Sequence, residues 1–406
     1  MSILAEEKKT RKGVLFEHLF YIFAFITCTL AIFPLVFGEN NIILFNYIFI
    51  YLISLVILIN NLEKLSIYIK NNKILFVFLG LLSISIVWSV DILFSLQKVL
   101  GFIGVTLLGL AFSCRLSYKD LLKIIFFSYL IITTLSILFI VYLPDLGVHN
   151  DFYYLGDYRG VYTHKNTLGI NMVFSTFITI HYLISINNKK LRLLALLNIL
   201  LSIYLLLNSN SKTALVMVIS IVLILILILL IRNFKDKYIV VSFTMFILIA
   251  ITMFLVFAFK NYDNIIGILN RDPSMTGRTE IWKYGIEKLS ERPLLGYGYY
   301  GFWQIPKYAL SNHYNGHNGF LDIAIYSGII GLTLFLLVLF TTFLRTYTII
   351  FSKKGKIGLF FFTVFLLLLM YNIVETNYIL TNDIKWALFI YIVINSKNYN
   401  QNKKTL

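Results

Sequence analysis

Long apolar runs separated by short polar breaks dominate this chain. A helix that crosses a bilayer needs about 20 predominantly apolar residues. Twelve stretches reach or approach that length: 14–37, 41–60, 73–90, 98–114, 121–143, 166–186, 191–208, 212–232, 238–259, 318–344, 357–375 and 384–397. The last is short, and the second and fourth carry polar residues within the run. Two polar breaks are too long for simple connections, 144–165 and 260–317. The longer one is not low-complexity, since it holds two of the 4 Trp and three of the 5 Pro. Within it Ile281, Trp282, Gly285, Ile286 and Leu289 share one helical face, Lys283, Glu287 and Lys288 fall elsewhere, and Pro293 ends the run. That spacing predicts a short amphipathic helix lying on the membrane surface. The pattern predicts an all-α polytopic membrane protein, a single membrane domain over 1–406 with about twelve transmembrane helices.

Composition removes the alternatives. Of the 406 residues 59% are hydrophobic and 13% charged, against about 25% charged in an ordinary soluble domain. A soluble fold would expose large apolar patches. Cys28 and Cys114 lie in or beside apolar runs and are too few for a disulfide framework or a Cys-based metal site. The polar, basic start Met1–Lys12 precedes an apolar run too long for a signal-peptide core, which predicts a retained first membrane helix.

The net charge of +16 has a topological meaning. With the N-terminus inside and the spans alternating, most of the 35 basic residues fall in inner segments, around Lys8–Lys12, Lys64–Lys73, Arg115–Lys123, Lys189–Arg192, Arg232–Lys237, Arg345–Lys356 and Lys397–Lys404. The short outer loops hold almost none, and most of the 19 acids lie at or beyond the outer ends. This is the positive-inside arrangement for an even number of spans, with both termini cytoplasmic and the two long loops extracytoplasmic. The charge is drawn to an anionic inner leaflet, and no nucleic-acid partner is implied.

Candidate chemistry gathers at the outer boundary. The first long loop closes with Arg159-Gly160 and His164-Lys165-Asn166, and a tight outer turn reads Asn208-Ser209-Asn210-Ser211-Lys212-Thr213. The second long loop holds Gly277-Arg278-Thr279-Glu280-Ile281-Trp282, then Pro293-Leu294-Leu295-Gly296-Tyr297-Gly298, and closes with Asn312-His313-Tyr314-Asn315-Gly316-His317-Asn318-Gly319. Basic side chains converging at head-group depth suit a phosphate, Arg through its planar fork and Lys through its point charge. Each has a plainer reading. Arg159 and Lys212 suit interfacial snorkelling, Arg278 suits pairing with Glu280 or Glu287, and His317 suits a loop or helix-start contact. His313 is structural by preference, as are His18 and His181 in or near spans. Asp322 and Glu375, acids at span ends, invite a functional reading. His313 and His317 lack a local carboxylate partner for zinc, so neither a metal nor another cofactor is implied.

At these residues the chain resembles the O-antigen ligase and polysaccharide polymerase superfamily. The resemblance covers nearly the whole membrane plan and is densest from about 155 to 335. It rests on Arg159-Gly160 through His164-Lys165-Asn166-Thr167-Leu168-Gly169, on Ser211-Lys212-Thr213-Ala214, on Gly277-Arg278 with Trp282 and the Pro293–Gly298 run, and on His317-Asn318-Gly319-Phe320-Leu321 followed by Gly328-Ile329-Ile330-Gly331. Two positions depart from the family pattern. Lys212 stands where Arg is common, and Asn315 stands where a further His is frequent.

The resemblance implies a metal-independent membrane glycosyltransferase of GT-C-like architecture in the bacterial cytoplasmic (inner) membrane, active on the extracytoplasmic side. It would move glycan from an undecaprenyl-diphosphate-linked oligosaccharide to a hydroxyl of an acceptor glycan. His317 is the candidate base and Arg278 the main cation, with Glu280 in reserve. Arg159, Lys212, Arg278, His164 and Lys165 would serve the diphosphate, and His313, Asn318, Trp282 and Tyr297 the glycan or lipid. The aromatic run Tyr297–Trp303 suits sugar faces, a lipid tail or an interfacial belt. The His-Lys-Asn-x-Leu-Gly element favours an exopolysaccharide or O-antigen polymerase acting on a carrier-linked acceptor. A ligase acting on lipid A core is the alternative. A transporter or flippase, or a non-catalytic scaffold of the assembly machinery, is less favoured because the polar groups gather at the rim. Membrane lipids, a chain-length regulator and a flippase are the implied partners.

Overall fold

The computed structural model describes residues 11–29, 41–232, 278–303, 315–375 and 381–401. Among these it is built of helices, with one isolated bridge between Val148 and Tyr158. Besides a single helical turn at Pro144–Gly147, they are in order α1 (Arg11–Cys28), α2 (Asn41–Ile59), α3 (Leu62–Asn71), α4 (Lys73–Ile84, extended by a 3₁₀ turn to Trp88), α5 (Ile92–Arg115), α6 (Tyr118–Tyr142), α7 (Lys165–Ser185), α8 (Lys189–Asn208), α9 (Lys212–Arg232), α10 (Arg278–Glu291), α11 (Gly319–Ile350), α12 (Gly355–Val374) and α13 (Ile384–Gln401). The expected span at 238–259 lies outside the described residues. Each of the other expected stretches carries a helix.

Among the described residues eight helices are long and apolar enough to cross a membrane, or 9 if the bent pair α3–α4 counts as one. This is an all-α polytopic membrane protein. Leu, Ile, Val and Phe side chains of α2, α8 and α9 stand exposed in a broad belt, the surface that lipid tails cover. The interior is graded. α7 is buried over 78% of its span and α9 over only 22%, so α7 is a central helix and α9 a peripheral one. α7 packs on α6, α8, α9 and α12, while α11 packs on α4, α12 and α13, and α5 on α2 and α13. α13 is buried from Ile384 to Ser396, so a short, partly polar helix persists because protein surrounds it.

Polar side chains knit the central helices. Asn198 of α8 accepts from Thr133 Oγ1 of α6 at 2.6 Å and donates to Thr179 Oγ1 of α7 at 2.9 Å, and Ser175 meets Ser202 at 2.8 Å. Such bonds join helices where lipid offers no competing partner.

One helix is broken on purpose. Inside α11, Gly328 has φ 65° and ψ −170°, a conformation open to Gly and costly for other residues. The break frees backbone groups at membrane depth, where each must find a partner. The segment after α10 supplies them. Tyr297 N donates to Ile325 O (2.8 Å), Gly298 N to Tyr326 O (3.1 Å), and Ile329 N to Pro293 O (2.7 Å). The same strap reaches α4 and α5, through Trp88 Nε1 to Leu295 O (3.0 Å), Tyr299 N to Ser85 Oγ (2.9 Å) and Ser95 Oγ to Tyr299 O (2.7 Å). Residues 296–303 are wholly buried. The aromatic run expected at a sugar face, a lipid tail or an interfacial belt is therefore an interior plug. A loop that dips into the bundle must bury its backbone among protein, and large rings fill the space.

A Cβ at Gly328 would lie 2.0 Å from Leu294 O, whereas one at Gly80 of α4 meets nothing within 4 Å. Gly328→Ala is expected to destabilise the protein by about 2 kcal/mol or more, while Gly80→Ala is neutral or slightly stabilising. Thermal unfolding in detergent checks this. Equal midpoints for the two variants would sink the strap pairing.

Candidate functional site

Three side chains from distant parts of the chain meet where α10 and α11 begin and α12 ends. Arg278 opens α10, His317 lies two residues before α11, and Glu375 caps the C-terminus of α12. Glu375 bridges the other two. Its Oε1 accepts from Arg278 Nη2 at 2.6 Å and its Oε2 lies 2.7 Å from His317 Nδ1. All three are partly buried, with side-chain exposures of 24% for Arg278, 19% for Glu375 and 30% for His317. Burial by itself raises the Glu375 pKa, but the hydrogen bond from His317 and the Arg278 guanidinium outweigh it and hold the carboxyl below the ordinary glutamate value.

His317 is held in place from all sides. Its φ of 47° lies in the left-handed region, uncommon for a residue other than glycine but more open to histidine than to most. The preceding Gly316 is pinned at both polar atoms, its N–H donating to Asp322 Oδ1 (2.9 Å) and its carbonyl accepting from Trp282 Nε1 (2.8 Å). Asp322, fully buried, also accepts from Trp303 Nε1 at 2.7 Å. His317 N donates to Asn315 Oδ1 at 2.9 Å. Asn318 caps α11 through Phe320 N and Leu321 N and donates to Ile373 O of α12 at 3.2 Å. A Cβ at Gly319 would meet Asn372 of α12 at 1.8 Å, so Gly319 lets α11 approach the end of α12 that carries Glu375.

The first long loop folds onto the same end of the bundle. His164 caps α7, its Nδ1 accepting from Asn166 N at 3.1 Å. Burial first, then the neighbouring His149 and Lys165, push the His164 imidazole below its usual range, and the Glu375 charge acts the other way. The His164 ring is thus within electrostatic reach of Glu375. A neutral ring whose Nδ1 accepts carries its proton on Nε2. Lys165 is buried against Asp157, which also accepts from Asn210 of the turn before α9. Lys212 stands exposed as the first residue of α9, and α9 packs on both α7 and α12.

The other candidate residues are placed as follows. Arg159 donates from Nε to Leu146 O (3.0 Å) and from Nη2 to Asp145 O (2.8 Å), clipping its own loop. Glu280 is exposed on the first turn of α10. Tyr297 is buried, and its hydroxyl donates to Lys288 O at 2.9 Å and lies 3.1 Å from Glu291 Oε2. His313 lies outside the described residues. On α10 the buried face carries Ile281 and Gly285, whereas Ile286, expected on that face, is exposed. Glu375, and not the Glu280 held in reserve, is the carboxylate that meets both Arg278 and His317. Its one sequence signal was an acid at the end of an apolar run.

Residues 197–336 match the O-antigen ligase family. A segment of 92 residues is 35% identical to the exopolysaccharide production protein ExoQ of Rhizobium meliloti (strain 1021), covering 20% of this chain and 21% of that protein. The chain thus matches about a fifth of that relative's length. The resemblance to the O-antigen ligase and polymerase superfamily holds. The family match includes Lys212, Arg278 and His317, while Glu375 and His164 lie outside it.

With its folded pKa lowered, Glu375 contributes stability that is fully present above the unfolded glutamate value and is lost as pH falls through the folded one. Glu375→Gln is expected to cost about 2 kcal/mol at neutral pH. Its gap from wild type should close only on the acid side of the ordinary glutamate range, below about pH 4.3. Thermal midpoints across pH 3–8 measure this. A gap that closes near neutrality would contradict the pairing.

Proposed function

We propose that this protein polymerises a cell-surface polysaccharide. It would transfer glycan from an undecaprenyl-diphosphate-linked donor to the hydroxyl of a carrier-linked acceptor glycan on the outer face of the cytoplasmic membrane. The observation that carries this reading is Glu375 oriented between Arg278 and His317 at one end of a helical membrane bundle. The printed name of the relative, an exopolysaccharide production protein, favours polymerase over ligase. The proposal includes twelve spans, both termini in the cytoplasm, the loops 144–165 and 260–317 outside, and a chain-length regulator and flippase as partners.

The reaction makes one bond and breaks one. The acceptor oxygen attacks sugar C1, the bond from C1 to the diphosphate oxygen breaks, and that oxygen leaves with the electron pair. The acceptor proton passes to His317. A ring that donates Nδ1–H to the Glu375 carboxylate carries its lone pair on Nε2 and is set up as the base. Glu375 is the positioning residue, fixing tautomer and ring orientation. The leaving diphosphate needs fixed positive charge in a site poor in water. Arg278 and Lys212 supply charge, and His164 supplies an Nε2–H donor. Arg159, Lys165, Trp282 and Asn318 shape the loops that hold these groups. No metal enters the scheme.

The test uses protein purified in detergent with a carrier-linked repeat unit and EDTA, with products resolved by gel or mass spectrometry. Wild type should build a ladder of longer carrier-linked glycans. His317→Ala and Arg278→Ala are expected to slow it by about 10²–10⁴-fold and Glu375→Gln by at least about 10²-fold, while Glu280→Ala stays within a few-fold. Transfer only when lipid A core is supplied would replace the polymerase reading with the ligase. Loss of the ladder in EDTA would overturn metal independence, and carrier movement across vesicles without transfer would make the protein a transporter.

A further inference from the structure

The opposite end of the bundle holds a second cationic site. A cavity of about 240 Å³ opens between the α3–α4 junction, the far end of α11 and the last part of α13. Arg345, on its wall, lies 26 residues beyond Gly319, roughly 40 Å along α11 from the site described above. Among the described residues four cations line it, Lys70, Lys73, Arg345 and Lys397, and no carboxylate does. Two are anchored by neutral groups. Arg345 Nη1 donates to Asn72 Oδ1 at 2.9 Å, and Lys397 Nζ donates to Asn71 O. These bonds fix the two cations in place and bring no negative charge to them. Like charges gathered at one cavity repel, Arg345 and Lys397 the more so for being half-buried, and an anion bound among them relieves that repulsion.

The frame around the cavity resembles a membrane-surface pocket. α3 turns away from α4 at 96°, as a helix lying along the bilayer surface does. It is tied to the bundle by Tyr68 Oη donating to Ser113 O (2.9 Å) and Lys64 Nζ donating to Cys114 O (2.9 Å). Lys70 and Lys73 flank the bend and are exposed. Ile74, Val338 and Val393 line the rest of the cavity with apolar surface. A ligand that meets cations at one level and aliphatic side chains at the next carries a phosphate on an apolar body.

The geometry points to a binding site for the phosphate of an anionic phospholipid head group. The phosphate sits among Lys70, Lys73, Arg345 and Lys397, and the acyl chains run along α4, α11 and α13. The site is distinct from the one that holds Arg278 and His317, and it stands whether or not that end of the bundle transfers glycan. Occupancy clamps the α3–α4 bend to α11 and α13, so the lipid acts as a structural ligand that stabilises the fold.

The test begins with delipidated protein in a neutral detergent. Thermal midpoints and native mass spectrometry are read with phosphatidylglycerol, phosphatidylcholine, glycerol 3-phosphate or inorganic phosphate. Phosphatidylglycerol is expected to raise the wild-type midpoint and to be retained in the gas phase, and phosphatidylcholine to do neither. Lys73→Gln/Lys397→Gln should bind phosphatidylglycerol about tenfold more weakly for each cation removed. Lys70→Gln/Lys73→Gln gives the same readout from two exposed residues, should the first variant fail to fold. Equal effects of the two lipids, or unchanged binding by both variants, overturn the site. A midpoint shift reproduced in full by inorganic phosphate or glycerol 3-phosphate overturns the head-group assignment in favour of a soluble anion.

Discussion

Backbone hydrogen bonding at membrane depth is the constraint on which this structure depends. A break in a transmembrane helix leaves amide and carbonyl groups that hydrocarbon cannot satisfy. α11 breaks at Gly328, and the strap from Pro293 to Gly298 pairs with the groups set free. That pairing draws the loop after α10 into the bundle and locks it against α4 and α5. Trp303, carried on the same loop, reaches Asp322, and Asp322 pins Gly316 beside His317. A helix break within the membrane thus sets the position of the candidate base at its edge.

The site shows how charge is handled at such an edge. Arg278, Glu375 and His317 arrive on three elements far apart in sequence, and each is half-withdrawn from water. A carboxylate there needs partners, and it has a guanidinium on one oxygen and an imidazole on the other. The arrangement keeps Glu375 ionised and fixes which nitrogen of His317 carries the proton. Lys165 with Asp157 repeats the logic in the first loop, where the pair is buried and closes the loop onto the turn before α9.

The two ends of the bundle treat charge differently. At the end that holds His317, Arg278 and Lys165 each face a carboxylate, Glu375 and Asp157, whereas Arg159 is held by backbone carbonyls alone. At the other end Arg345 and Lys397 bond to asparagine side-chain and backbone oxygens, and their charge is left to an external anion. The basic residues that mark membrane orientation in the sequence are thereby also gathered into a pocket.

The sequence by itself determined the class of the protein. Runs of about 20 apolar residues leave no soluble fold open, and each run among the described residues carries a helix, because a lipid-facing helix is specified locally by length and hydrophobicity, whereas the short α3 lies in no run. The helix after Arg278 was legible too, from its spacing and from Pro293. His317 and Arg278 stood out as polar residues at a boundary where apolar ones are the rule. What only the tertiary structure decided was which of these residues meet. Glu280, near Arg278 in sequence, is exposed, and Glu375, 97 residues away, is the partner. Tyr297 and its aromatic neighbours read as a ligand surface or an interfacial belt, and they are the plug of a broken helix. Arg159 and Lys165 read as phosphate ligands and are engaged within their loop. In each case the deciding fact was a contact between elements distant in sequence, and hydrophobic periodicity specifies where helices form but not which polar groups their ends bring together.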